Sequence, residues 1–372
     1  MLKRLYVDNY RCLSNFKVKP GRLCPLVGPN GGGKSSVFEV LKSLQGFLQG
    51  GELVETVAPH WSLTRWDTRR TQRIELECEL EEHAFHYQVG FVHDSNGSGT
   101  VVQEETLSSG SALLYRAAQG TVELFGDDGR PEPRASFPFV ANRSYIPLLE
   151  SRPDHQRIAD FKRWLSGLYL FSLNPWSMDM VSQHEGHSIA INGSNFVSWF
   201  RSLVQEAPEI PAKLREDLAP VIPGLQAIRL QPVGQNARLL LFDCKVAGRQ
   251  VNVGVNELSD GQRVLLVLYT ILHVVAPRST FLVLDEPDNF VAQSEIQPWL
   301  SALRETVMES GRGTLLVISH HPEVIDYLAA DEALYLWRRE DGPTQVKNLA
   351  SELDRSQGLR ASEWLHLGAA VD

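Results

Sequence analysis

The chain has 372 residues, 43% of them hydrophobic and 22% charged, a balance that allows a sizeable core, excludes wholesale disorder and leaves room for about two or three domains. Thirty-six Lys and Arg against 45 Asp and Glu give a net charge of −9, which excludes a chain-wide basic surface built for nucleic acid or anionic lipid and leaves only a local basic face open. Cys12, Cys24, Cys78 and Cys244 stand far apart without a C-x-x-C pair, so neither a disulfide framework nor a zinc ribbon is expected, and a reducing compartment fits. The opening MLKRLYVDNYRCL lacks the apolar core of a secretory signal, and no stretch reaches about 18 apolar residues. The expectation is a cytoplasmic chain that does not span a membrane.

In chain order, the pattern predicts short strands at Lys3 to Val7 and Leu23 to Val27, a glycine-rich loop, and a helix opening at Lys34 with Val37, Leu41, Leu44 and Leu48 on one face. Ile74, Leu76, Cys78 and Leu80 alternate with Glu75, Glu77, Glu79 and Glu81, and Phe85, Tyr87, Val89 and Phe91 repeat the alternation. The turn residues Asn96 to Gly99 then lead into Val101 and Val102. These runs read as an antiparallel β lobe. Residues 105 to 135, rich in Gly, Ser, Asp and Pro, read as the least ordered part.

Helical spacing recurs at Asp154 to Leu170, Asn195 to Leu203 and Ala212 to Leu218, a helical insertion punctuated by prolines. Strands follow near Ala227 to Leu230 and Arg238 to Val246. A helix from Asp260 to about Val275, the apolar strand Phe281 to Leu284, a helix at about Ser294 to Glu309 and the strand Thr314 to Ile318 complete the pattern. Buried strands alternating with helices predict an α/β fold with a mostly parallel sheet. The expected division is 1–150, 151–225 for the helical insertion, and 226–372.

Gly28-Pro29-Asn30-Gly31-Gly32-Gly33-Lys34-Ser35 fits G-x-x-x-x-G-K-[ST] between a strand and a helix. Backbone N–H groups of such a loop converge on phosphate at a helix N-terminus, Lys34 reaches the β- and γ-phosphates, and the Ser35 hydroxyl takes a Mg²⁺ position. Asn30, Gly31, Gly33, Lys34, Ser35 and the following Ser36 are the expected nucleotide contacts. The strand Phe281 to Leu284 ends in Asp285 and Glu286, where Asp285 suits the metal's water shell and Glu286 suits orienting or deprotonating an attacking water. Arg65, Arg69, Arg70 and Arg73, interleaved with Trp61 and Trp66, form the densest basic and aromatic cluster. A solvated loop is the plainer reading, a nucleic-acid or partner contact the other.

Asn256 to Arg263, containing Leu258-Ser259-Asp260-Gly261-Gln262, resembles the ABC signature, and Ile318-Ser319-His320 resembles the switch-histidine segment. With GPNGGGKS, the opening VDNYRCL and SHHPEVID, the chain is similar to ATPases of the RecF, SMC and OLD type, the non-transporter branch of the ABC superfamily. The resemblance is dense in residues 1–48 and 250–330 and thin elsewhere.

It implies an ABC-type P-loop NTPase head that binds and hydrolyses ATP with Mg²⁺, as a head-to-tail homodimer with two nucleotides between the protomers. Ser259, Gly261 and Gln262 would complete the site of the opposite protomer. His320 would meet the γ-phosphate, and Arg11 would either approach the nucleotide or stand as an exposed surface arginine. Two departures stand out: Asn142 to Pro147, the segment that resembles the Q-loop strand, offers no glutamine, with Gln156 only a downstream candidate, and Asp288 to Ala292 differs from the usual D-loop.

The role implied is an ATP-gated switch in DNA repair or anti-phage defence beside a partner effector protein. Lys34 and Ser259 are 225 residues apart without heptads, too few for a long coiled coil. The 52 residues after His320 are too few for a TOPRIM nuclease domain. The alternatives are the nucleotide-binding subunit of a membrane transporter and a scaffold that binds ATP without hydrolysing it. Intact Lys34, Asp285 and Glu286 argue against the scaffold.

Overall fold

The computed structural model describes residues 1–95, 97, 99–150, 152–311, 313–328, 332–339, 342–353 and 360–366. Its centre is a six-stranded sheet in the order Leu168–Phe171, Phe281–Asp285, Thr314–Ile318, Leu23–Val27, Leu334–Trp337, Gln345–Asn348. The first five strands run parallel and the last antiparallel. Phe281 to Leu284 and Thr314 to Ile318 are buried throughout, as strands covered on both faces must be. Phe281, Val283, Leu316 and Ile318 share a core with the helix Lys34–Leu48, whose Val37, Leu41, Leu44 and Leu48 form the expected buried face. Leu282, Leu284, Leu315 and Val317 point the other way, into a core with the helices Asp260–Val274 and Gln293–Ser310.

The β lobe is an eight-stranded antiparallel sheet from Phe16–Val18 and Leu2–Asp8 through Thr71–Leu80 and His83–His93 to Ala135–Pro138. Along His83–His93 the alternation holds: Phe85, Tyr87, Val89 and Phe91 are buried, and Phe91 meets Phe47 edge to face at 5.5 Å. Along Thr71–Leu80 it breaks once. Glu75 is buried because Arg4 and Arg73 bind its two carboxylate oxygens at 2.8 and 2.6 Å. A third sheet joins Val181–Ser182, Leu225–Val233, Ala237–Val246 and Arg249–Gly254 to the helices Phe196–Glu206 and Ile210–Leu218.

Three expectations are corrected. Residues 105–135 are largely β-structure: Thr100–Ser109, Ala112–Ala118, Thr121–Leu124 and Ala135–Pro138 are joined mainly by tight turns, two of them using Gly110 and Gly120 at positive φ. The small residues there close hairpins. Second, the helix expected from Asp154 to Leu170 spans only Gln156–Ser166, and Leu168–Phe171 is the sheet strand beside Phe281–Asp285. Third, Asn142 to Pro147 forms no strand but a loop entering the short 3₁₀ turn Ile146–Leu148. Asn96 and Ser98 of the expected turn lie outside the described residues. All four cysteines are free and buried. Among the described residues no helix is long and apolar enough to cross a membrane.

Inside the β lobe the fully buried Glu105 accepts hydrogen bonds from the hydroxyls of Tyr87 at 3.0 Å, Tyr115 at 2.8 Å and Ser144 at 2.6 Å. Burial outweighs these bonds and pushes its carboxyl from 4.5 up to about 7. The folded chain therefore keeps a proton that the unfolded chain releases between those values, and this group's contribution to stability falls as pH rises through about 7. The span is worth at most about 3 kcal/mol. Thermal melts of wild type and Glu105→Gln should show the wild type losing ground to the variant from about pH 5 to about pH 8. A difference in melting temperature independent of pH would refute the buried-proton account.

Candidate functional site

The strand Leu23–Val27 runs into Gly28, Gly31 and Gly33, at φ +139°, +77° and +108°, conformations that side chains with a Cβ rarely adopt. Two of these glycines are also clamped. A Cβ on Gly28 would lie 2.0 Å from the Leu336 carbonyl oxygen, and one on Gly33 2.3 Å from Thr344 Oγ1. The helix Lys34–Leu48 that follows has no side-chain N-cap and no acid in its first turn, so its first N–H groups and positive dipole end stay available to an anion. Lys34 is buried, with Nζ donating to the carbonyls of Gly28 at 2.7 Å and Pro29 at 3.0 Å. Burial lowers its ammonium to about 8, against Glu286 and Asp285, which raise it.

Asp285 ends its strand beside Ser172, the first residue after the neighbouring parallel strand, and Ser172 Oγ donates to Asp285 Oδ2 at 3.2 Å. Burial, and then the Glu286 carboxylate, push Asp285 up to about 6. Glu286 has φ +48°, a left-handed conformation uncommon for a residue with a Cβ; its N–H donates to the Ile318 carbonyl at 2.8 Å. Its carboxylate is held from two sides, Oε1 by His320 Nε2 at 3.0 Å and Oε2 by Asn289 Nδ2 at 2.7 Å. Burial first, then Lys34, lowers the pKa of His320; the neutral ring can donate from Nε2 to the carboxylate.

Asn30, Gly31, Gly33, Lys34, Ser35 and Ser36 line one open cavity of about 1080 Å³ together with Arg11, Glu286 and His320. Ser36 Oγ lies 3.3 Å from Cys12 Sγ. Asp285 lines an adjoining cavity of about 420 Å³ with Ser172 and Glu39, and Ser35 borders both.

Ser259, Gly261 and Gln262 stand apart from both cavities, at the start of the helix Asp260–Val274. There they form a capping box: Ser259 Oγ accepts from Gln262 N at 3.2 Å, and Gln262 Oε1 accepts from Ser259 N at 3.0 Å. Gln262 Nε2 also donates to the Val221 carbonyl at 2.7 Å. A Cβ on Gly261 would lie 2.6 Å from the Phe290 carbonyl, so the glycine lets this helix rest on the turn that follows Glu286.

Sequence reasoning missed Ser172, Asn289 and Arg338, and underrated the cluster around Trp61. Ser172 would have been found from the strand Leu168–Phe171, had that run not read as helix. The Gln156 candidate lies at the start of the helix Gln156–Ser166, its amide toward Asp160. The basic cluster divides: Arg69 binds Asp8 and Asp67, Arg73 binds Glu75, and Trp61, Arg65 and Trp66 line the larger cavity.

No family model matches the chain. Over 46 residues, 12% of its length, it is 44% identical to an OLD nuclease of Thermus scotoductus, a stretch spanning 9% of that protein. The crystal structure of an SMC head bound to the C-winged helix domain of ScpA superposes with a TM-score of 0.55 at 13% identity, covering 94% of this chain and 99% of that one. An Smc head with an extended coiled coil, bound to the C-terminal domain of ScpA derived from Pyrococcus furiosus, gives 0.50 at 10% identity, covering 96% and 98%. The chain has the α/β architecture of an SMC head, the ABC-type P-loop NTPase fold.

The clamp on the loop makes a graded prediction. Gly31 has positive φ but no atom within 4 Å of its Cβ position, whereas Gly28 faces a backbone oxygen that cannot swing away. Gly31→Ala should cost only the left-handed penalty of about 1–2 kcal/mol. Gly28→Ala should lower the melting temperature clearly further, and equal shifts would mean the loop is not held against Leu336.

Proposed function

We propose that the chain binds ATP in the larger cavity, with Mg²⁺ at its Ser35 border with the adjoining one, and hydrolyses it. The observation that carries this reading is the meeting of the Lys34 loop with a carboxylate, Glu286, that is fixed from both sides by His320 and Asn289. Four cations, Arg11, Lys34, Arg65 and Arg338, line that cavity against the one acid Glu286, a balance suited to a polyanion. Lys34 and the free N–H groups at its helix start take the β- and γ-phosphates. The hydroxyls of Ser35 and Ser172 and the Asp285 carboxylate are hard oxygen donors around one cavity, a set that fits Mg²⁺. Mg²⁺ would neutralise phosphate charge there.

Glu286 orients the attacking water and takes its proton; its two hydrogen bonds fix the direction of its lone pairs. His320, bound to the same carboxylate, would meet the γ-phosphate. Glu286→Gln keeps the size and one of the two acceptor oxygens and removes the base, so steady-state hydrolysis should fall by about 10²- to 10⁴-fold while ATP still binds. Wild-type turnover in this variant would remove Glu286 from the role.

Two copies close head to tail, so that Ser259 and the Gly261 amide of one meet the γ-phosphate held by Lys34 of the other. Support comes from Ser259, Gly261 and Gln262 lining neither the Lys34 cavity nor the adjoining one within a single chain, and from the SMC-head fold. We assign the closed dimer a role beside a partner effector protein, in DNA repair or anti-phage defence; the identity to an OLD nuclease over 46 residues supports that setting. ATP adds γ-phosphate contacts that ADP lacks, so it shifts association by its differential affinity. Light scattering on Glu286→Gln should show a mass twice the monomer's with ATP and Mg²⁺, and a monomer once Ser259→Arg is added. A mass indifferent to ATP and to Ser259→Arg would rule out the sandwich.

A further inference from the structure

Trp61 and Trp66 line the same cavity as the Lys34 loop and are 64% and 46% exposed. Large aromatic rings seldom stand this open without a partner to cover them. Nor are they carried by a loose loop. Buried Ser62 accepts the Arg11 backbone N–H at 2.6 Å, its hydroxyl meets Gln72, and buried Thr64 donates its N–H to Asn9 Oδ1 at 3.2 Å. The backbone on either side of Leu63 is therefore pinned to the β lobe while the two indoles face the cavity.

Each indole also carries an arginine. The Arg11 guanidinium lies 4.9 Å from the Trp61 ring centre and that of Arg338 5.2 Å from Trp66. Among the described residues neither arginine is paired with a carboxylate, so their charge remains for the cavity. An indole has two faces, and the guanidinium covers one. The cavity, at about 1080 Å³, reaches the upper end of the range usual for small-molecule sites, roughly 300–1,000 Å³. It has more room than a triphosphate group fills.

We propose that Trp61, with Trp66 in the same wall, is the nucleobase subsite of this cavity: the base of the bound nucleotide stacks on the indole face left open by Arg11. This rests on the reading of the Lys34 loop as a nucleoside triphosphate site. The chemistry is π-stacking backed by cations, in which the flat ring of the base supplies the contact.

The test compares two probes, ATP and inorganic tripolyphosphate, each with Mg²⁺, by calorimetry on the full chain. Trp61→Ala should weaken ATP about 5- to 100-fold, the cost of one lost aromatic–base stack, and leave tripolyphosphate unchanged. Trp61→Phe, which keeps an aromatic face, should recover most of the ATP affinity. Undiminished ATP binding in Trp61→Ala overturns the subsite while leaving the phosphate site intact. Equal weakening of both probes also overturns it, and makes Trp61 only a support for Arg11. Loss of a labelled oligothymidine with ATP binding retained would overturn it in favour of a nucleic-acid contact. Lys34→Ala separates the two levels: if it binds both probes as wild type does, the phosphate site itself fails and the base subsite with it.

Discussion

The strand Phe281–Asp285 is buried on both faces, and much of the site's geometry follows from that. A chain cannot carry a charged side chain into such a position, so the two acids fall where the strand leaves the sheet. The parallel register then decides what stands beside them. Thr314–Ile318 on one side ends just before His320, and Leu168–Phe171 on the other ends just before Ser172. One strand further on, Leu23–Val27 ends at the glycine loop. Four strands of one direction thus deliver the Lys34 loop, a histidine, two carboxylates and a serine to one edge, without a long side chain reaching across the molecule.

Parts of this were legible because local chemistry and global fold agree there. The G-x-x-x-x-G-K-S loop needs its flanking strand and helix, and both are present; Thr314–Ile318 and the His83–His93 alternation follow directly from their apolar patterns. Other parts were hidden for identifiable reasons. Leu168–Phe171 follows Gln156–Ser166 with only Gly167 between, and an all-apolar run of four continues a helical pattern as well as it starts a buried strand. Residues 105–135 were hidden by their turns, because Gly and Ser in number read as loop although Gly110 and Gly120 merely close hairpins.

The grouping of Trp61, Trp66, Arg11 and Arg338 is a tertiary fact that local pattern does not carry. Arg11 and Trp61 are 50 residues apart in sequence and meet because the backbone of Arg11 bonds to Ser62. Arg338 and Trp66 meet because the strand Leu334–Trp337 packs against the glycine loop. The sequence joins the arginines and rings near Trp61 into one cluster; only the fold shows that Arg69 pairs with Asp8 and Asp67 and Arg73 with Glu75 while Arg65 faces the cavity.

Gly261 is the residue whose smallness reaches furthest. Its helix start rests on the Phe290 carbonyl with no side chain between, and Phe290 is the next residue after Asn289, which grips Glu286. The backbone from Glu286 to Val291 is itself closed by turns, Glu286 to Asn289 and Asp288 to Val291. The outer end of the Asp260–Val274 helix, where Ser259 is exposed, is thus joined to the carboxylate by two short steps, the Gly261–Phe290 contact and the turn that carries Asn289. A methyl group at position 261 would act as a shim, prising the helix from the turn and detuning that carboxylate from some distance away.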